Sequence, residues 1–229
     1  MATKHSLFWR GILVLTVFVL LASRFSTAYG EGKVGLYGIR MVPYGTEGEK
    51  HSRPGWGGGL NVVAPVPQLG NMLAGTLGFE ITNLLSRTVA FQDGLTGLRV
   101  YQQSDQNYYR LYLGPQVGGH GNGFVRPHAG LNLALVFYNF KTDVVVPDDD
   151  NRELEIRQNL KSETKAVFGY DLSLGMDLNF ANKVAVEGGM RYLKSFSVPQ
   201  QLGEGSVKIH PQYFQIYLGV GASFRVFRR

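Results

Sequence analysis

A period of two governs the last third of the chain. From Phe214, one side reads Phe214, Ile216, Leu218, Val220, Ala222, Phe224 and Val226, while the other reads Tyr213, Gln215, Tyr217, Gly219, Gly221, Ser223 and Arg225. Successive side chains of a strand point to opposite faces, so an apolar row interleaved with polar, tyrosine and glycine positions marks a strand between two unlike environments. The same split recurs upstream. Phe168, Tyr170, Leu172, Leu174, Met176, Leu178 and Phe180 alternate with Gly169, Asp171, Ser173, Gly175, Asp177 and Asn179. Shorter stretches repeat it around Leu77–Ile81, Tyr109–Val117, Val125–Phe137 and Val184–Tyr192, and the segments 33–42 and 55–65 are rich in glycine, aromatic and β-branched residues.

The pattern predicts eight strands, at 33–42, 55–65, 72–83, 106–118, 124–141, 164–180, 183–197 and 210–227. Several are far longer than the usual globular strand of about 5–6 residues, and reach the roughly 9–11 that a tilted strand needs to cross a bilayer. The linkers alternate in length: 43–54, 84–105, 142–163 and 198–209 are long, whereas 66–71, 119–123 and 181–182 are short. Transmembrane barrels have short periplasmic turns and long outer loops, and an even strand count leaves both termini in the periplasm. The fold class expected is all-β: an antiparallel up-and-down eight-stranded transmembrane barrel over residues 31–229.

The first 30 residues have a different character. Lys4 and Arg10 precede the apolar run Gly11–Ala22, which is too short to span a bilayer, and Ala28-Tyr29-Gly30 then supplies small residues at cleavage positions. A signal peptide cut after Gly30, or alternatively after Ala28, is expected. Its three cations account for half of the formal charge of +6, leaving +3 for residues 31–229, with no basic block that would suggest nucleic acid. Cysteine is absent, which excludes disulfides, thiolate metal sites and a cysteine nucleophile.

On the signal peptide, the Tyr109–Val117 strand, Phe124-Val-Arg-Pro-His-Ala-Gly130, Phe168-Gly-Tyr-Asp171, Arg191-Tyr-Leu-Lys-Ser-Phe196 and the last strand, the chain resembles the small eight-stranded outer-membrane β-barrel families (OmpA, OmpX and OmpW). The resemblance implies a bacterial outer-membrane location, contact with outer-membrane lipids and lipopolysaccharide, and insertion by the barrel assembly machinery. That machinery reads a C-terminal strand of the form Gly-x-x-apolar-x-apolar. Gly221, Phe224 and Val226 match its spacing, with Phe227 next and Arg228 and Arg229 in place of a terminal aromatic.

If the apolar stripe faces lipid, the other stripe lines the interior. It gathers Glu80, Asp171, Asp177 and Glu187 against Arg110, Arg126, Arg191 and Arg225, with His128 among them. An eight-stranded barrel is just wide enough for side chains to fill, and charges there must pair. A structural polar network plugging the lumen is expected, in a non-enzymatic barrel serving envelope integrity or adhesion through its loops. A narrow channel for ions or small solutes is one alternative. The other is a soluble periplasmic lipocalin-like barrel whose apolar stripe faces inward around a ligand.

Catalytic, cofactor and metal sites are not expected. Lipid A deacylases of this architecture set a serine two residues after a strand histidine, and here Gly130 follows His128. Asp148-Asp149-Asp150, with Glu153 and Glu155, lacks calcium-loop spacing and reads as a solvated acidic loop. The glycine runs at 55–59 and 118–123 lack the lysine and helix of a phosphate-binding loop.

Overall fold

The computed structural model describes residues 31–45, 53–66, 73–92, 99–118, 124–146, 156–180, 183–202 and 205–225. Ten strands follow in order: β1 (Glu31–Tyr44), β2 (Gly55–Pro65), β3 (Leu73–Gln92), β4 (Arg99–Gly118), β5 (Val125–Val146), β6 (Ile156–Phe180), β7 (Val184–Ser195), β8 (Val198–Leu202), β9 (Gly205–Ile209) and β10 (Gln212–Arg225). Eight of them close into an antiparallel barrel in the order β1-β10-β7-β6-β5-β4-β3-β2, and β8 and β9 form a separate hairpin. Closure joins the first strand to the last, from Glu31↔Arg225 to Tyr44↔Gln212, so the start of β1 and the end of β10 lie at one end of the barrel.

The predicted stripes separate as inside and outside. Along β10, Tyr213, Gln215 and Tyr217 are buried while Phe214, Ile216, Leu218 and Val220 are exposed. The exposed face is therefore the apolar one, the reverse of a lipocalin. From Phe214 to Phe224 this face spans about 33 Å along the strand, or about 25 Å along the barrel axis at the usual tilt, the height of an outer-membrane belt. Aromatic clusters bound it. Tyr44 meets Tyr192 and Phe214 edge-on, and those two rings are tilted against each other, with centroids 5.0–6.3 Å apart at the outer rim; Phe124 meets Phe180 at 5.4 Å at the end where β1 starts and β10 stops. On β3 to β6 the outer limit is a polar row across the register: Asn83 donates to Asn107 at 3.1 Å and Asn139 to Thr164 at 3.1 Å.

Two of the expected long loops need correction. Most of 84–105 and 142–163 is strand: β3–β4 and β5–β6 continue as ladders past the barrel wall, up to Gln92↔Arg99 and Val146↔Ile156. The expected loop at 198–209 holds the β8–β9 hairpin. The alternation stops there for two physical reasons. Above the belt neither face meets lipid, so no continuous apolar row is required. A register shift also falls in each ladder, between Asn83 and Leu85 and at Thr142/Asp143, which reverses the face parity of one strand against the sequence pattern.

The result is a four-stranded sheet standing off half the barrel. Its two edges are open among the described residues. β2 pairs with β3 only as far as Trp56↔Asn83, and β7 pairs with β6 only from Ser195↔Gly169 downward. Pro54, which lacks an N–H, lies just beyond the end of β2. The edge at Thr88–Gln92 is exposed on both faces and uncharged, whereas the β6 edge carries Arg157, Lys161, Glu163 and Lys165.

Candidate functional site: the barrel interior

The interior is built in three tiers from inward residues of all eight strands. Nearest the termini, Lys33 of β1 reaches across the lumen to Asp177 of β6 at 2.8 Å and Glu187 of β7 at 2.6 Å. Asn61 of β2 donates to Glu187 at 3.4 Å, while His128 of β5 lies 3.9 Å from Asp177 and 3.2 Å from the Tyr217 hydroxyl. Small residues make the room. A Cβ on Gly35 would sit 2.6 Å from Glu187, and one on Gly175 only 2.5 Å from the His128 ring.

The middle tier is fully buried. Glu80 of β3 pairs with Arg110 of β4 at 2.9 Å and with Arg191 of β7, and also accepts from the Tyr37 hydroxyl at 2.8 Å and from Gln215 at 3.1 Å. Arg110 continues to Asp171 at 2.8 Å, and Asn132 completes that carboxylate at 2.8 Å. Arg191 lies over the rings of Tyr217, Tyr37 and Tyr112, at 4.2, 5.0 and 5.1 Å. Two acids and two guanidiniums cancel in this tier. A charge in the interior is tolerable only when so compensated.

The outer tier is aromatic and aliphatic. Ile39, Met41, Leu84, Val136 and Leu193 pack with Tyr108, Tyr138 and Tyr213, and Tyr138 shares a 2.8 Å hydrogen bond with Ser195. Between the two lower tiers is a polar cavity whose lining includes Lys33, Asn61, Thr76, His128, Asn132 and Ser173. About 10 Å³ is open to water centres, room for about one water. The Asn61 and Asn132 side-chain oxygens have no partner among the described residues, so a water bridging them would satisfy both.

No family model matches the sequence, and no curated protein does. Among solved structures, Neisserial surface protein A aligns over 84% of this chain and 97% of its own, at 12% identity and a TM-score of 0.53. The chain has the fold of a small outer-membrane β-barrel. The attachment invasion locus protein Ail of Yersinia pestis, crystallised with the heparin analogue sucrose octasulfate, aligns at 15% identity and a TM-score of 0.45, over 85% and 97% of the two chains. The outer membrane protein OprG of Pseudomonas aeruginosa aligns at 12% and 0.47, over 88% and 99%.

Of the polar positions expected inside the barrel, the structure brings Glu80, Arg110, Asp171 and Arg191 into one buried knot, and Asp177, Glu187 and His128 into the tier beneath it. Arg126 lies nearer the mouth, where its guanidinium meets the side-chain amide of Asn179. Arg225 ends the β1–β10 ladder opposite Glu31. Gly221 and Phe224 lie on β10, whereas Val226, Phe227, residues 1–30 and the acidic run at 148–155 fall outside the described residues.

Lys33, Tyr37 and Asn61 join the network without having been expected there. Lys33 leads an inward row with Gly35, Tyr37, Ile39 and Met41, and the apolar end of that row masks its polar start. Gly78 is a test of how tightly the barrel is filled. A Cβ there would enter the Tyr112 ring, which is held by its 2.8 Å bond to Tyr37 and by Arg110 at 4.3 Å. Gly78→Val is expected to destabilise by about 1–3 kcal/mol through overpacking, read as a lower denaturant midpoint; an unchanged midpoint would mean that the ring is free to move.

Proposed function

We propose that this protein is an integral, non-enzymatic barrel of the bacterial outer membrane, closed to solutes, which acts through the sheet raised above its outer rim. The observation that carries this reading is the filled lumen. A charge-compensated knot and an aromatic-aliphatic tier lie in series across it, and the cavity beneath the knot has room for about one water. Such an interior supports the wall of the envelope and leaves recognition to the outer end.

The raised sheet favours a binding or adhesive role over a purely structural one. An uncharged, exposed edge at Thr88–Phe91 offers its outward backbone groups to an extended partner. A catalytic role has little support. Ser173 stands across the ladder from Gly130 and lines the same cavity as His128, but a cavity of that size cannot admit an acyl chain.

Reconstitution in planar bilayers tests the closed lumen. The protein is expected to give no reproducible stepwise conductance, and discrete steps would establish the channel reading instead. Fractionation tests the location: a folded band that shifts on heating in detergent-extracted outer membrane is expected, and a soluble periplasmic product would overturn it.

A further inference from the structure

Outward positions of the belt are apolar, aromatic, glycine or proline on all eight barrel strands, with one exception among the described residues. The exception is Arg40 of β1, which shares a cross-strand row, through Trp56, with the polar rim residues Asn83 and Asn107 two and three strands away. It lies four residues short of the rim residue Tyr44, about 13 Å along the strand, with Val42 and Ile216 as apolar neighbours. No carboxylate is paired with it among the described residues. Its guanidinium instead lies 4.6 Å over the ring of Trp56, its cross-strand partner on β2. A cation facing hydrocarbon is costly and is retained where it has a task. Stacking on an indole shields one face of the guanidinium and leaves its N–H edge free for a planar, bidentate acceptor.

The wall directly beneath Arg40 lacks side chains for one cross-strand row. Gly38 and Gly58 are register partners on β1 and β2 and both point outward. A Cβ on Gly38 would meet nothing nearer than a backbone oxygen at 3.8 Å, and one on Gly58 nothing nearer than 3.3 Å. Leu218 and Ile81 flank the pair in the same cross-strand row, and Leu36 and Leu60 lie below it. The furrow is two strands wide, about 5 Å between strand axes and comparable with the width of one hydrocarbon chain, and one row long, with exposed Leu36 and Leu60 at its foot. An anion grip stands at its head.

We propose that Arg40 and Trp56 hold a phosphate of an outer-leaflet glycolipid of the lipid A type, with one acyl chain lying in the Gly38–Gly58 furrow. The site lies in the half of the belt away from the termini, which is the outer leaflet when the termini are periplasmic. The inference therefore rests on the outer-membrane reading. The furrow selects a lipid phosphate over a free one, because only a lipid fills both halves.

The test is native mass spectrometry of the folded barrel in nonionic detergent. It is titrated separately with bisphosphorylated lipid A, fully dephosphorylated lipid A and inorganic phosphate. One bisphosphorylated lipid A is expected to remain bound, with the dephosphorylated form retained about fivefold less or weaker still. Arg40→Gln and Gly38→Leu are each expected to reduce retention by about as much, one by removing the grip and the other by filling the furrow. Arg40→Lys is expected to fall between Arg40→Gln and the unaltered protein. Equal retention of the two lipid A forms, or retention unchanged in Arg40→Gln, would overturn the site, as would binding of inorganic phosphate alone. The lipid comparison uses the unaltered protein, so a variant that misfolds leaves it decisive. A soluble product in fractionation would sink the outer-membrane reading instead, which is a separate outcome.

Discussion

Glu80→Leu is expected to lower the unfolding free energy by roughly 3–5 kcal/mol, the usual range for removing one partner from a buried ion pair. Glu80 is fully buried and its carboxylate serves two guanidiniums, a tyrosine hydroxyl and an amide. Without it, Arg110 keeps Asp171, but Arg191 keeps only aromatic faces and no carboxylate among the described residues. A urea titration of the barrel in lipid vesicles, followed by Trp56 fluorescence, would read the loss as a lower midpoint. Adding Arg191→Met should recover much of it, since the stranded charge and not the missing bond is the larger penalty. If the single variant unfolds with the unaltered protein, the knot contributes nothing to holding the barrel.

The second large effect concerns the outer face. Leu174→Arg places a cation on β6 midway between Phe168 and Phe180, where the side chain is 61% exposed to what is proposed to be lipid. The expected loss is about 2–4 kcal/mol, as for a cation at the bilayer midplane. Ala90→Arg, on the exposed edge of β3 above the belt, should stay within about 0.5 kcal/mol of the unaltered protein. The contrast between the two variants is the measurement. Both face solvent equally in a soluble barrel, so equal midpoints in the vesicle titration would mean that the belt is not in the bilayer.

The barrel was readable in the sequence because its two faces obey opposite rules. Lipid outside demands apolar residues at every second position, and a filled interior demands the polar, tyrosine and glycine set, so rows such as Phe168–Phe180 carry the strand, its length and its sidedness together. The chemistry of the lumen was readable as composition. Glu80, Arg110, Asp171 and Arg191 could be assigned to the interior, but their pairing depends on which strands face one another across the lumen, and no local pattern encodes that. Lys33 escaped because its row becomes apolar at Ile39 and Met41, where the outer tier begins. The raised sheet escaped because bulges such as the one beside Leu84 reset the parity on which the reading depends. Arg40 lay in plain view in the sequence, but its isolation became visible only when the outward faces of all eight strands could be compared.

The middle tier also bears on the order of assembly. Glu80 is bonded to residues of β1, β4, β7 and β10, and β1 and β10 are the first and last barrel strands. While the sheet is still open, this carboxylate and its guanidiniums lack part of their neutralising shell, and the hydrocarbon side of the bilayer has no substitute to offer. The final strand therefore acts as a latch: zipping β10 against β1 delivers Gln215, and Arg191 from the neighbouring β7, to Glu80 in the same movement that removes the last free edges of the wall. A half-closed barrel would carry exposed edges and an unquenched charge cluster together, so intermediates near closure are disfavoured twice, and the transition should be sharp.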